Sequence, residues 1–119
     1  MSNSKPSYDL EERSFQFSKS VRLYIKKLPR TIANIEDAKQ VVRASGSVGA
    51  NYIEANESLS KKDFIMRIKI CRKEAKESAY FLRLITETNA TEFEKDGIAL
   101  HDEAVQLKKI LSAIYEKSN

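Results

Sequence analysis

Apolar positions recur along this chain at alternating steps of three and four, the period of amphipathic helices and not of strands. Leu10, Ser14, Phe17, Val21, Tyr24 and Leu28 make the first stripe, with Ile25 widening it. Asp9 followed by Glu12 has capping-box spacing and predicts a start near Asp9. Pro29 ends the segment, because proline cannot continue the intrahelical ladder. A second stripe runs through Val41, Val42, Ser45, Val48, Tyr52 and Ala55. Its helix is expected to start around Asn34, with Glu36 and Asp37 in a first turn that favours negative charge. The third stripe, Phe64, Ile68, Cys71, Ala75, Leu82 and Ile85, lies in a run from Ser60 to Thr88 that holds no glycine or proline. Ser60 and Asp63 predict its cap. Glu87 to Asp96 is polar and reads as a loop with a short turn near Phe93. Leu100, Ala104, Leu107, Leu111 and Ile114 form a fourth stripe from about Gly97, and Lys117 to Asn119 is expected to fray.

Four such helices, at approximately 9–28, 34–57, 61–88 and 97–116, with short links, predict one domain over 1–119. The expected fold is all-α, an elongated antiparallel up-down-up-down four-helix bundle. Each helix would be about 30–40 Å long at ~1.5 Å per residue. Ala44 to Ala50 contains Gly46 and Gly49, each unfavourable in a helix by roughly 1 kcal/mol relative to alanine. Either the helix breaks there, or the bare backbone admits a close neighbour. The unbroken phase from Val41 to Ala55 favours continuity. A phosphate-cradling loop would need a lysine–hydroxyl pair after the glycines, and none follows.

Helix three also carries Met66, Ile70, Phe81 and Leu84 away from its main stripe, where a lone surface helix should be polar. A second apolar flank predicts a second covering surface, so these four are the expected oligomer interface.

The net charge of +4 is unevenly spread. Residues 1–29 hold six basic and three acidic groups, and residues 60–88 hold eight and four, whereas 30–59 and 89–119 are net acidic. Lys62, Lys69, Arg72, Lys73, Lys76 and Arg83 fall along one flank of helix three, and Lys19, Arg22 and Lys26 form a row on helix one. One such row is commonly just a solvated face. Two in one small domain point to phosphate contact, with Lys19, Arg22, Lys26, Lys69, Arg72, Lys73, Lys76 and Arg83 as the candidates. A Lys73–Glu77 pair at i,i+4 would neutralise part of this charge. Asn51, Glu54 and Glu74 are polar on tightly patterned helices, and either pair across helices or subunits or simply face water.

Catalytic chemistry finds little support. Cys71 lies on the core stripe, where a thiol behaves as a small hydrophobe. A carboxylate-bridged di-iron bundle needs Glu-x-x-His pairs, but Ile98 stands three before His101, the one histidine. Zinc needs about four suitable ligands. The expectation is no enzyme activity, no metal and no cofactor. Met1 to Ser7 lacks the apolar run of a signal peptide, no stretch has the ~18 apolar residues of a membrane span, and a single cysteine suits a reducing cytoplasm.

Two stretches resemble a known family. Ser47 to Glu57, reading SVGANYIEANE, is similar to its Ser-Ile…Asn-Ile-Ala-Glu-Gly segment, with Asn51 and Glu54 on the Asn and Glu. Glu74 to Leu82, preceded by Phe64, is similar to its Glu-Ala-x-Glu-Ser-x-Tyr-Trp-Leu helix. The family is the four-helix bundles encoded in intervening sequences of bacterial 23S ribosomal RNA genes, which includes the accessory variability protein of diversity-generating retroelements. Ala55 and Phe81 depart from glycine and tryptophan at the corresponding positions. The resemblance implies a homopentamer, with structured RNA or DNA, or a reverse transcriptase, as partner. The combined expectation is a non-enzymatic, homo-oligomeric, nucleic-acid-binding bundle; the alternative is a protein-interaction scaffold.

Overall fold

The computed structural model describes residues 6–118. Four helices follow one another: α1 (Pro6–Lys27), α2 (Ile32–Asn56), α3 (Lys61–Thr88) and α4 (Glu94–Ser118), with a 3-10 turn at Thr91–Phe93 leading into the last. They form the expected all-α up-down-up-down bundle, 45 × 33 × 19 Å, elongated and somewhat flattened. Cross-helix pairs show the antiparallel register: Arg13–Glu103 and Lys27–Asp96 join α1 to α4, while Asn51–Arg67 and Asn34–Asn89 join α2 to α3. α3 packs along both α2 and α4, and α1 closes the bundle against α2 and, more lightly, α4. α1 and α3 therefore occupy opposite corners.

The four stripes meet in one core. Val21, Val41, Val48, Ile68, Leu82, Ile85, Leu107 and Leu111 are sealed from solvent. Burying a side chain of this size stabilises the fold by roughly 1.5–3 kcal/mol relative to leaving it exposed.

Several helix ends differ from the sequence expectation. α1 opens at Pro6, where a missing N–H is no loss, so Asp9 lies inside the first turn and no Asp9–Glu12 capping box forms. α2 starts at Ile32, and Thr31 Oγ1 accepts the Asn34 N–H at 3.1 Å. Glu36 and Asp37 thus miss the first turn. Asn34 is buried, and its amide donates to the Pro29 carbonyl (2.9 Å) and to Asn89 Oδ1 (2.8 Å). Asn89 returns a bond to Asn34 Oδ1 at 2.9 Å, pinning the α1–α2 link to the end of α3. Ser60 does cap α3, accepting the Asp63 N–H at 3.1 Å. α4 begins three residues ahead of Gly97, and Lys117 and Ser118 stay helical. The Met1–Lys5 part of the polar N-terminus, and Asn119, lie outside the described residues.

α2 runs unbroken through Gly46 and Gly49. A Cβ on Gly49 would stand 3.3 Å from Ser14 Cβ, and one on Gly46 would stand 3.2 Å from Arg22 Nη2. The glycines let α1 lie close to α2, which offsets their low helix propensity.

Candidate nucleic-acid interface

Between α3 and α4 runs a groove of ≈ 560 Å³, lined by Met66, Lys69, Ile70, Arg72, Lys73, Lys76, Lys108 and Ser112. Steps of three and four along α3 bring its four cations to one side, and Lys108 joins them from α4. The lining contains no carboxylate. Among the described residues, none of these five cations makes a salt bridge. Arg72 lies over the Tyr115 ring at 4.5 Å, a cation–π contact that anchors the guanidinium beside the groove.

Lys73 lacks the expected Glu77 partner because α2 supplies a stronger one. Arg43 binds Glu74 through both terminal nitrogens at 3.3 Å and also binds Glu77. The planar guanidinium satisfies two carboxylates where an ammonium offers a single point charge. The hydrogen bond to Glu74, followed by that carboxylate's charge and then Glu77, raises the Arg43 pKa against the opposing effect of burial. Arg43 thereby offsets part of the acid on the α2 side of α3, while among the described residues the groove cations make no salt bridge.

The eight predicted phosphate contacts do not form one surface. Lys69, Arg72, Lys73 and Lys76 share the groove. Lys19 and Lys26 are exposed on α1 at the opposite corner. Arg22 is turned onto α2, donating to Ser18 Oγ, to the Ser18 carbonyl (3.2 Å) and weakly to the Val42 carbonyl (3.5 Å). Arg83 pairs with Glu87 at 2.9 Å. Helical phase places residues on a face of their own helix; only the packing order shows that the two basic helices are diagonal.

The apolar flank of α3 also divides. Met66, 49% exposed, and Ile70 line the groove. Phe81 packs against the subunit's own core, edge-on to Tyr80 at 5.3 Å, and Leu84 is half-buried. Lys108, Ser112 and Tyr115 were not among the sequence candidates. They lie one position beyond the α4 core residues Leu107, Leu111 and Ile114, and periodicity alone does not say which flank of α4 meets α3.

The remaining polar candidates have structural roles where they are engaged. Asn51 donates to the Ser47 carbonyl and Oγ and accepts from Arg67 at 3.0 Å, and Glu54 is exposed. Cys71 is sealed in the core, and burial pushes its thiol from 9.0 to about 12. Protonation is therefore favoured in the native state: this contribution is complete below pH 9 and is lost as pH rises towards about 12. Stability should be flat in Cys71 titration up to pH 9, then fall by up to about 1.4 kcal/mol per pH unit. In Cys71→Ala the alkaline fall should begin only near pH 10, where the phenols of Tyr24 and Tyr52 ionise in the unfolded chain while burial holds them protonated in the native one. Urea unfolding across pH 8–11 checks this; superimposable alkaline profiles would refute it.

A family model described as 23S rRNA-intervening sequence protein matches residues 7–113. The chain belongs to that family. Its fold is also similar to the crystal structure of a protein of unknown function from the S23 ribosomal protein family of Bacteroides thetaiotaomicron, with a TM-score of 0.73 and 28% identity over 89% of this chain and 97% of that one. No curated protein matches the sequence. In this 23S rRNA-intervening sequence protein each of the two resembling stretches is tied across the α2–α3 seam to a residue outside the other: Asn51 of the first accepts from Arg67, and Glu74 of the second pairs with Arg43. Among the described residues no three His, Cys, Asp or Glu side chains gather as a metal site, and no helix is long and apolar enough to cross a membrane.

Proposed function

We propose that this protein is a non-enzymatic, homo-oligomeric bundle of the cytoplasm that binds RNA or DNA through the α3–α4 groove. The observation that carries this reading is five cations around one groove without a lining carboxylate. Such a field attracts polyanions, and the contacts would be made largely to phosphates. The family's name, which places its members with ribosomal RNA genes, agrees with a nucleic-acid partner. Lys19 and Lys26 would add weaker, peripheral contacts. Filter binding of RNA and DNA over a salt series tests the proposal: affinity should be measurable at low salt and fall steeply as salt rises. No retention even at low salt would remove it.

Self-association is supported by Tyr80, 61% exposed, and Leu84, one turn further along α3. A symmetric contact with the two α3 helices parallel would bring the groove lysines of two copies side by side. A head-to-tail contact avoids this and closes into rings when its rotation permits; five copies is the number that the resemblance implies. Several linked grooves would raise avidity without new contacts. Leu84→Glu is expected to dissociate the assembly while leaving helicity unchanged, as read by light scattering and circular dichroism. A monomeric parent protein at micromolar concentration would overturn this part.

A scaffold for another polypeptide is the second reading. It is favoured by Leu59, fully exposed at the α2–α3 link, and by half-exposed Ile53 nearby on α2. It predicts capture of a protein partner with little dependence on salt.

A further inference from the structure

We infer that the α3–α4 groove holds a single strand of nucleic acid, its phosphates on the lysines and its bases against Met66, Ile70 and the Arg72 plane. The inference rests on the proposed function and specifies the form of ligand. Three features on the groove wall lead to it. First, the cations surround apolar side chains: Met66 and Ile70 lie among Lys69, Lys73, Lys76 and Lys108. A duplex keeps its base faces stacked inside and offers phosphates outward, so it would leave those apolar side chains wet. A single strand offers both chemistries at once, which is the pattern of strand-binding grooves.

Second, Arg72 lines the groove while its guanidinium carbon stands 4.5 Å from the centre of the Tyr115 ring, a cation–π contact. A guanidinium anchored by such a contact can offer its plane to an unpaired base, as arginine planes serve in single-stranded recognition. Third, Lys69, Lys73 and Lys76 span seven helical steps, about 10 Å at ~1.5 Å per residue. That row is short, so one subunit engages only a few nucleotides. The contacts use features that RNA and DNA share, and no base edge is read.

The experiment is fluorescence anisotropy with a labelled mixed-sequence 15-mer, as RNA and as DNA, alone and annealed to its complement, compared at each step of one salt series. Both single strands should bind about tenfold or more tightly than either duplex. Arg72→Lys keeps the charge and removes the plane. It should weaken single-strand binding roughly fivefold or more, leaving the duplex affinity and the salt slope unchanged. Met66→Ser, at a half-exposed position outside the core, should act in the same direction. Duplex binding as tight as single-strand binding, or single-strand affinity unmoved by both variants, would overturn this inference while leaving phosphate binding in place. Absence of binding to all four oligonucleotides would overturn both.

Discussion

Replacing Lys69, Lys73 and Lys76 together with glutamate is expected to weaken nucleic-acid binding more than about 100-fold near 50 mM salt. Each phosphate neutralised by a lysine releases condensed counterions, contributing about 0.7 to the salt slope on a single strand and about 0.9 on B-DNA. Losing three contacts should therefore lower the slope by roughly two to three. Reversal adds repulsion from three new carboxylates. All three lysines are exposed and, among the described residues, in no salt bridge, so helicity and thermal stability should hardly change. Lys19→Glu with Lys26→Glu is the contrasting pair. At the opposite corner of the bundle, it should cost only a few-fold in affinity. If the triple variant retained parental affinity and slope, the groove would not be the binding surface.

Gly97→Ala is expected to be among the most destabilising small substitutions in the chain. Gly97 is buried near the start of α4. An added Cβ would run into Thr86 Oγ1 of α3 and come within 2.6 Å of the Tyr24 hydroxyl of α1. Neither atom can yield freely. Thr86 Oγ1 donates to the Leu82 carbonyl at 2.7 Å, and Tyr24 donates to the Phe93 carbonyl at 3.0 Å. Overpacking typically destabilises by 1–3 kcal/mol, sometimes more, against the roughly 1 kcal/mol that alanine gains over glycine in a helix. A net loss of up to about 2 kcal/mol should lower Tm by as much as roughly 10 °C. Scanning calorimetry reads this directly, and an unchanged or raised Tm would mean that α4 can shift away from α1 and α3 at no cost. Gly49→Ala meets only the 3.3 Å approach of Ser14 Cβ, so its effect should be smaller.

The contrast between these glycines shows how far the chain could be read before folding. Gly46 and Gly49 sit in an unbroken apolar phase, so continuity of α2 and a close neighbour were both legible. Gly97 reads as a helix start, because glycine after a polar stretch ordinarily marks a boundary. Its actual role, admitting Thr86 and Tyr24 from two other helices, has no signature in the residues beside it. The caps divide in the same way. Ser60 is followed by a long unambiguous helix and caps it. The starts at Thr31 and Pro6 are masked in the sequence by Asn34 and Asp9, good cap formers a few residues on, and Asn34 is instead engaged by Asn89, 55 residues away.

The residues alone determined that the chain is four amphipathic helices around one core, with helices one and three basic, because a 3.6-residue period and local charge are properties of contiguous sequence. Which helices touch was settled only on folding. Packing put α1 and α3 at opposite corners and separated their basic rows. It sent Arg43 to Glu74 and Glu77, and it brought Lys108 and Tyr115 of α4 beside the α3 lysines. Each of these depends on how helices are turned and ordered around the core, and stretches far apart in the chain have no local means of encoding it legibly.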